Sequence, residues 1–242
     1  MSRLAITRRI AVAAMLLSVS AGRALAAGPY SIEQVKISSS LPKSITSDVD
    51  PSGVLLFTSG KGVKEEICSI FLAKSAVAAV PPPANSGYSS IREGALIGIV
   101  HLFREATDDY YVDYNNQKLA PGYYTMRYAL QTSGVGEHGP IQGDFVVLSP
   151  IAMDSEPERV LSLEEVVRLG KAASHGEEAA RMQLMRVEDT KSPLPAVTAD
   201  SSGAAVVQLN LHLAGSKTTP AKELQIDLTV VTPKPDLGQN AS

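Results

Sequence analysis

The sequence predicts a mainly β protein, an antiparallel β-sandwich with one short helical insertion near the C-terminal third. Three observations carry the prediction. About eight short segments alternate apolar and polar residues with the period of a strand. Turn signals rich in Gly, Pro, Asn and Asp separate them. One segment, 162–176, instead repeats its apolar residues at helical spacing.

The chain opens on a different pattern. Arg3, Arg8 and Arg9 precede the apolar run IAVAAMLLSVSA, and Ala24-Leu25-Ala26 closes it. A basic start, a short apolar stretch and an A-x-A end predict a secretory signal peptide, cleaved after about Ala26. The run is shorter than the roughly 20 residues a bilayer span requires. Ala27 rather than Cys follows, which argues against a lipid anchor. No later segment is long and apolar enough to span, so no membrane span is expected in the mature chain. The expected location is periplasmic or extracellular. The expected organisation is a signal peptide at 1–26, a single β-sandwich domain at 27–232 with its helical insertion at about 162–187, and a disordered tail at 233–242.

In order, a polar lead-in holds one short strand near Glu33–Ser38, and GVLLFTS (53–59) is the first firm strand. Gly60-Lys61-Gly62 turns the chain into the strand at 66–73. Pro81, Pro82 and Pro83 remove backbone donors, so 76–88 reads as a surface connection. GALIGIVHLFRE (94–105) is apolar on both faces and predicts a central strand. DYYVDY (109–114) and YYTMRYALQ (123–131) follow as strands, with Pro121-Gly122 at the turn between them. A Gly-rich loop then leads to DFVVLSPI (144–151). Ser162 and Glu165 form a capping box for the helix, and Gly176 suits its stop. EEAARMQLMRVED (177–189) reads as its extension or restart, and 190–203 as loop. The last two strands, within 204–215 and 222–231, alternate cleanly and are expected to join the same sandwich, since a lone hairpin is marginal in water.

Composition excludes several classes. Setting aside the four arginines of residues 1–26, 18 basic residues face 25 acidic ones, with no Lys/Arg cluster. Nucleic acid is therefore not an expected partner. A single cysteine, Cys68, has no partner for an internal disulfide, and strand alternation reads it as a small buried hydrophobe. DVDPSG (48–53) imitates the start of a calcium loop, but Ser59 stands where a bidentate Glu belongs, so it reads as an Asp-Pro turn. His101, His138, His175 and His212 lie far apart and form no local metal motif. No nucleophile elbow, P-loop or dinucleotide fingerprint occurs. No metal, no cofactor and no catalytic residue is expected.

Two places remain as candidate sites. The loop 134–144 gathers Glu137, His138 and Asp144, groups able to move protons if held together. A polar Gly-rich hairpin loop explains the same residues. The second place is aromatic: six of eight tyrosines fall between 110 and 128. If 109–114 pairs with 123–131, they share two adjacent strands. Alternation then puts Tyr124, Met126, Tyr128 and Leu130 in the core. Tyr123, Thr125, Arg127 and Ala129 face the other way, where Tyr123 and Arg127 either meet a ligand or cover the sheet. Tyrosine strips stack on sugar rings, but cross-strand tyrosine pairs also stabilise sheets.

LAPGYYTMRYALQ, GEHG, DFVVLSP and the following helix resemble a group of uncharacterised secreted bacterial proteins with a PGxYTxRYxxQ strand. The resemblance spans roughly 50–176. The turn and strand are also similar to transthyretin-like and Ig-like sandwich families. It implies an Ig-like or transthyretin-like sandwich and no established activity, so no catalytic residue is carried over. Those proteins continue after the helix with His-Pro, where this chain has His175-Gly176.

The expected function is a non-enzymatic binding or structural module of the bacterial envelope, with an unknown protein or glycan as partner. Two alternatives stand beside it. One is an enzyme or metal-binding protein with a site around 134–144. The other is a glycan-binding module using surface tyrosines. The candidate ligand-binding residues are Tyr123, Arg127, Glu137, His138 and Asp144.

Overall fold

A computed structural model describes residues 29–39, 41–60, 63–80, 88, 90–103, 111–115, 117–131, 135–136, 139–140, 143–175, 178–185, 193–215 and 220–230. The expected signal peptide and tail, Tyr110, Glu137 and His138 lie outside the described residues.

In chain order the strands are β1 (Tyr30–Lys36), β2 (Ser52–Gly60), β3 (Val63–Leu72), β4 (Leu96–Leu102), β5 (Tyr111–Val112), β6 (Lys118–Leu119), β7 (Gly122–Gln131), β8 (Val135–Gly136), β9 (Gly139–Pro140), β10 (Gly143–Pro150), β11 (Arg181–Met185), β12 (Ala196–Ala199), β13 (Ala205–Leu213) and β14 (Lys222–Val230). A single helical turn, α1 (Lys43–Thr46), follows β1, and the helix α2 (Leu163–Ser174) follows β10. Ten strands make one antiparallel sheet in the order β1-β2-β3-β4-β7-β10-β11-β14-β13-β12. The pairs β5–β6 and β8–β9 are separate ribbons.

The sheet curls until its two ends meet. β1 lies against β12, and the Tyr30 hydroxyl donates to the Gly203 carbonyl at 2.8 Å. The molecule is therefore nearly a barrel, and the two layers expected of a sandwich are opposed halves of one sheet. The predicted class, mainly antiparallel β with one short helix late in the chain, is the observed one.

Alternation decides what fills the interior. Tyr124, Met126 and Tyr128 of β7 join Val146 and Leu148 of β10 and Leu209 and Leu211 of β13 in the main core. Leu130 packs against the rim of that core. Two patches of the outer face are also covered. Ile45 of α1 and the following Val49 lie over Phe71, Leu96 and Ile99. Val166 and Leu169 of α2 lie over Ala129 and Val147. β7, at the middle of the sheet, is thus buried on both faces.

α2 begins at the predicted capping box: the Glu165 N–H donates to Ser162 Oγ (3.3 Å), and the Ser162 N–H to Glu165 Oε2 (2.9 Å). Gly170 lets it close on β10, since a Cβ there would fall 2.5 Å from a Val147 methyl. His175, at φ 52° and ψ 23°, takes the left-handed closing position expected of Gly176.

Three expectations need correction. The helical insertion does not run to about 187: α2 ends at Ser174, and residues 181–185 form β11. Met182 and Leu184 enter the core while β11 pairs with β10 and β14, so two satisfied ladders outweigh the helix-forming composition of this segment. β11 is also the link that brings the last two strands into the main sheet. Residues 190–203 are not all loop, because β12 pairs with β13. Finally, the described part of the strand read at 109–114 does not pair with 123–131. β5 pairs with β6 across a tight loop, and β7 is flanked by β4 and β10.

Candidate functional site

Arg127 was expected on a half-polar face. Residues 151–161 cover that face, and the side chain is completely buried. Its Nε donates to Asp154 Oδ2 and one Nη2 hydrogen to Asp154 Oδ1, both at 2.7 Å. Nη1 reaches the carbonyls of Gly94 (2.9 Å) and Arg159 (2.6 Å), and Nη2 also reaches that of Glu156 (3.0 Å). All five donors of a guanidinium are thereby used. Asp154 accepts a third bond, from the Thr125 hydroxyl at 2.6 Å. Arg127 is a staple between β7 and the irregular segment after β10, and it has no donor left for a ligand.

Gly94 belongs to the same staple. Its φ is +79°, and a Cβ would fall 1.8 Å from the Leu161 carbonyl oxygen. Gly94→Ala is expected to cost about 2–3 kcal/mol, through both the disfavoured backbone region and the clash. Chemical denaturation of the variant checks this.

Tyr114 and its neighbours form a second staple. Asp113 is fully buried. Its Oδ1 accepts from the N–H groups of Asn115 (2.9 Å) and Gln117 (2.8 Å). Its Oδ2 accepts from Gln117 Nε2 and the Arg181 N–H, each at 3.1 Å. Burial pushes its pKa up, and these hydrogen bonds oppose the push. The Arg181 guanidinium lies over Phe145 at 4.6 Å and over Tyr114 at 5.6 Å, and Nη2 donates to Asn115 Oδ1 at 2.6 Å.

Asp144 sits on β10, where its Oδ1 accepts from the Tyr128 hydroxyl. The Tyr88 hydroxyl bridges the end of β11 by donating to the Met185 carbonyl and accepting from the Asp227 N–H. Glu137 and His138 lie outside the described residues, so Asp144 is the described member of that trio. Cys68 is fully buried, and burial pushes its thiol up to about 12, which keeps it neutral.

Tyr123 is half-buried. Its register partner on β4 is His101, and the two rings stack at 4.0 Å with 8° between planes. Phe103 meets His101 edge-on at 4.4 Å. Tyr124 and Tyr128, by contrast, are core residues. The tyrosine-rich stretch therefore divides between core, staple and one surface stack. Burial lowers the His101 pKa from 6.5, with Glu66 acting in the opposite direction. Below pH 6.5 the unfolded chain then takes up the proton more readily than the folded one, so His101 makes stability fall as pH falls toward its folded pKa. A melting-temperature series from pH 7.5 to 5 should show that loss, and His101→Gln should reduce it.

A further place is the seam of the near-barrel. β12 has only four residues and pairs with β13 from Ala205 to Gln208. Further along, Ala76 bridges β13 at Leu213, with its N–H on the His212 carbonyl and its carbonyl on the Ala214 N–H, both 2.8 Å. Between these two points lies a cleft of about 340 Å³. Gln34 of β1 and Ser52, Gly53 and Val54 of β2 form one wall, and Leu209, Asn210 and His212 of β13 the other. Asp50, Lys74 and Glu223 add charge. His212 Nδ1 lies 2.8 Å from Glu223 Oε1, its register partner across the β13–β14 hairpin. Lys74 Nζ donates to the Ser47 carbonyl at 2.6 Å, and Asp50 Oδ1 accepts from the Ser52 N–H at 2.8 Å. The sequence presents His212 as one of four scattered histidines and does not single it out. Its partner lies 11 residues further on and is identifiable only once the hairpin register is known.

Among the described residues, no three His, Cys, Asp or Glu side chains gather as metal ligands do. None of the described helices is long and apolar enough to cross a membrane. No family model, curated protein or solved structure matches the chain.

Proposed function

We propose that the chain is an exported, non-enzymatic binding module of the bacterial envelope, with its ligand in the seam cleft. The observation that carries this is the contrast between the cleft and the other polar groupings. Arg127 and Asp113 spend their hydrogen-bonding capacity inside the fold. At the seam, strand-edge groups of β13 and the His212–Glu223 pair line an open volume instead. Volumes of roughly 300 Å³ and above are the size of small-ligand sites. The basic start, apolar run and Ala24-Leu25-Ala26 of the sequence support export. The PGxYTxRYxxQ strand, here the central β7, supports kinship with the secreted sandwich proteins it resembles.

A thermal-shift screen of the mature chain against envelope-derived small molecules, glycans and peptides tests the reading. A ligand at 100 times its Kd should add about 2.7 kcal/mol of stability. His212→Ala and Glu223→Ala should abolish that gain while leaving the unliganded melting temperature within a few degrees. A ligand whose gain survives both substitutions binds elsewhere and contradicts the proposal. The stacked Tyr123 and His101 favour a second reading, glycan binding on the β4–β7 surface. In that case Tyr123→Ala, rather than the seam variants, removes the gain.

A further inference from the structure

The seam has the hydrogen-bonding character of a missing strand. In an antiparallel ladder, successive residues aim their N–H and C=O groups alternately at opposite neighbours. The Asp200 N–H donates to the Ala204 carbonyl at 2.9 Å. Ala204, Val206 and Gln208 therefore aim toward β12, and Asn210 and His212 aim the same way beyond its end. The His212 carbonyl does reach Ala76 on that side. By the same alternation, the N–H and C=O of Asn210 and the N–H of His212 face the cleft, with no backbone partner among the described residues. On the opposite wall, the Ile37 N–H donates to the Pro51 carbonyl at 2.9 Å. By the same alternation, Gln34 and Lys36 of β1 aim their backbone groups away from β2, toward the seam.

We propose that the seam is a one-strand slot that takes the extended amino-terminal segment of another polypeptide, paired antiparallel to β13. This rests on the seam being the ligand site. The slot runs from Ala196, opposite Gln208, to Ala76, opposite Leu213. Leu194 and Pro195 line its β12 end, so at about 3.4 Å per residue it holds at most about four residues. Its volume of about 340 Å³ suits a segment of that length with small side chains. Backbone pairing to an exposed edge is a general mode of peptide recognition. Direction sets the end chemistry. A strand antiparallel to β13 has its amino end beside His212, where Glu223 is the register partner. Glu223 and Asp50 line the cleft beside Lys74, whose Nζ donates to the Ser47 carbonyl; Glu223 meets His212 through Oε1 and Asp50 the Ser52 N–H through Oδ1, so each would offer its second oxygen. Two carboxylates suit a free α-amino group or a basic first residue. Because Ala76 and the start of β12 bound the slot, a chain end fits it better than the middle of a long strand.

Calorimetric titration of the mature chain with three pools of tetrapeptides tests the inference. One pool has free amino ends, one is N-acetylated, and one is N-methylated at the third residue, which lies opposite Asn210 and aims its N–H at β13. The free-amine pool should bind, N-acetylation should weaken binding about tenfold, and backbone methylation should weaken it at least tenfold. Glu223→Gln should bring the free-amine pool toward the acetylated one. Equal binding of the methylated and unmethylated pools would overturn strand addition. Equal binding of the free-amine and acetylated pools would overturn the amino-terminal assignment. If no pool binds but a glycan or other small molecule does so in a His212-dependent way, the peptide inference fails and the seam site stands. If peptides bind with unchanged affinity in His212→Ala and Glu223→Ala, both fail.

Discussion

Arg127→Met and Asp154→Leu should each destabilise the protein by about 3–5 kcal/mol, because each leaves the other charge buried and unpaired. The side chains are 0% and 2% exposed. In the Arg127 variant, the carbonyls of Gly94, Glu156 and Arg159 also lose a donor. At roughly 2–4 °C per kcal/mol for a domain of this size, the melting temperature should drop by about 6–20 °C. The double variant should be less destabilised than the sum of the singles, since it removes both charges together. Additive effects in urea denaturation would mean that the pair is not coupled, and that Arg127 does not hold the segment 151–161 as described.

Asp113→Ala should be the next most damaging change, at about 3–4 kcal/mol. It removes the acceptor of four N–H donors at once, two of them from Gln117 and one from Arg181 of β11. Asp113→Asn keeps the shape but offers one acceptor oxygen instead of two, so it should lose about half as much. Because the bond to Arg181 ties the β5–β6 ribbon to β11, amide exchange in 111–119 should accelerate in both variants. Unchanged exchange there would show that the ribbon is held by Tyr114, Phe145 and Arg181 packing instead.

The sequence displayed the long, half-buried strands plainly. Period-two alternation in 122–131, 205–213 and 222–230 put the same residues inward that the structure does. What it concealed were features set by distant chain. β11 is short and built of good helix formers, and only the open ladders of β10 and β14 make it a strand. Alternation fixed the face that Arg127 points to, but not the irregular segment that covers that face. Asp154 lies 27 residues away and has no local signature. The seam exists because AVTA is four residues long while β13 is nine, a mismatch that no single segment carries.

The most direct test of the seam as the ligand site is amide hydrogen exchange, residue by residue, with and without the tightest ligand found. Asn210 and His212 carry the edge N–H groups of β13 that face the cleft. Binding there predicts that their exchange slows at least tenfold, together with that of Gln34, while the amides around Tyr123 stay unchanged. Protection centred on Tyr123 and His101, or ligand binding that leaves Asn210 and His212 exchanging freely, would contradict it.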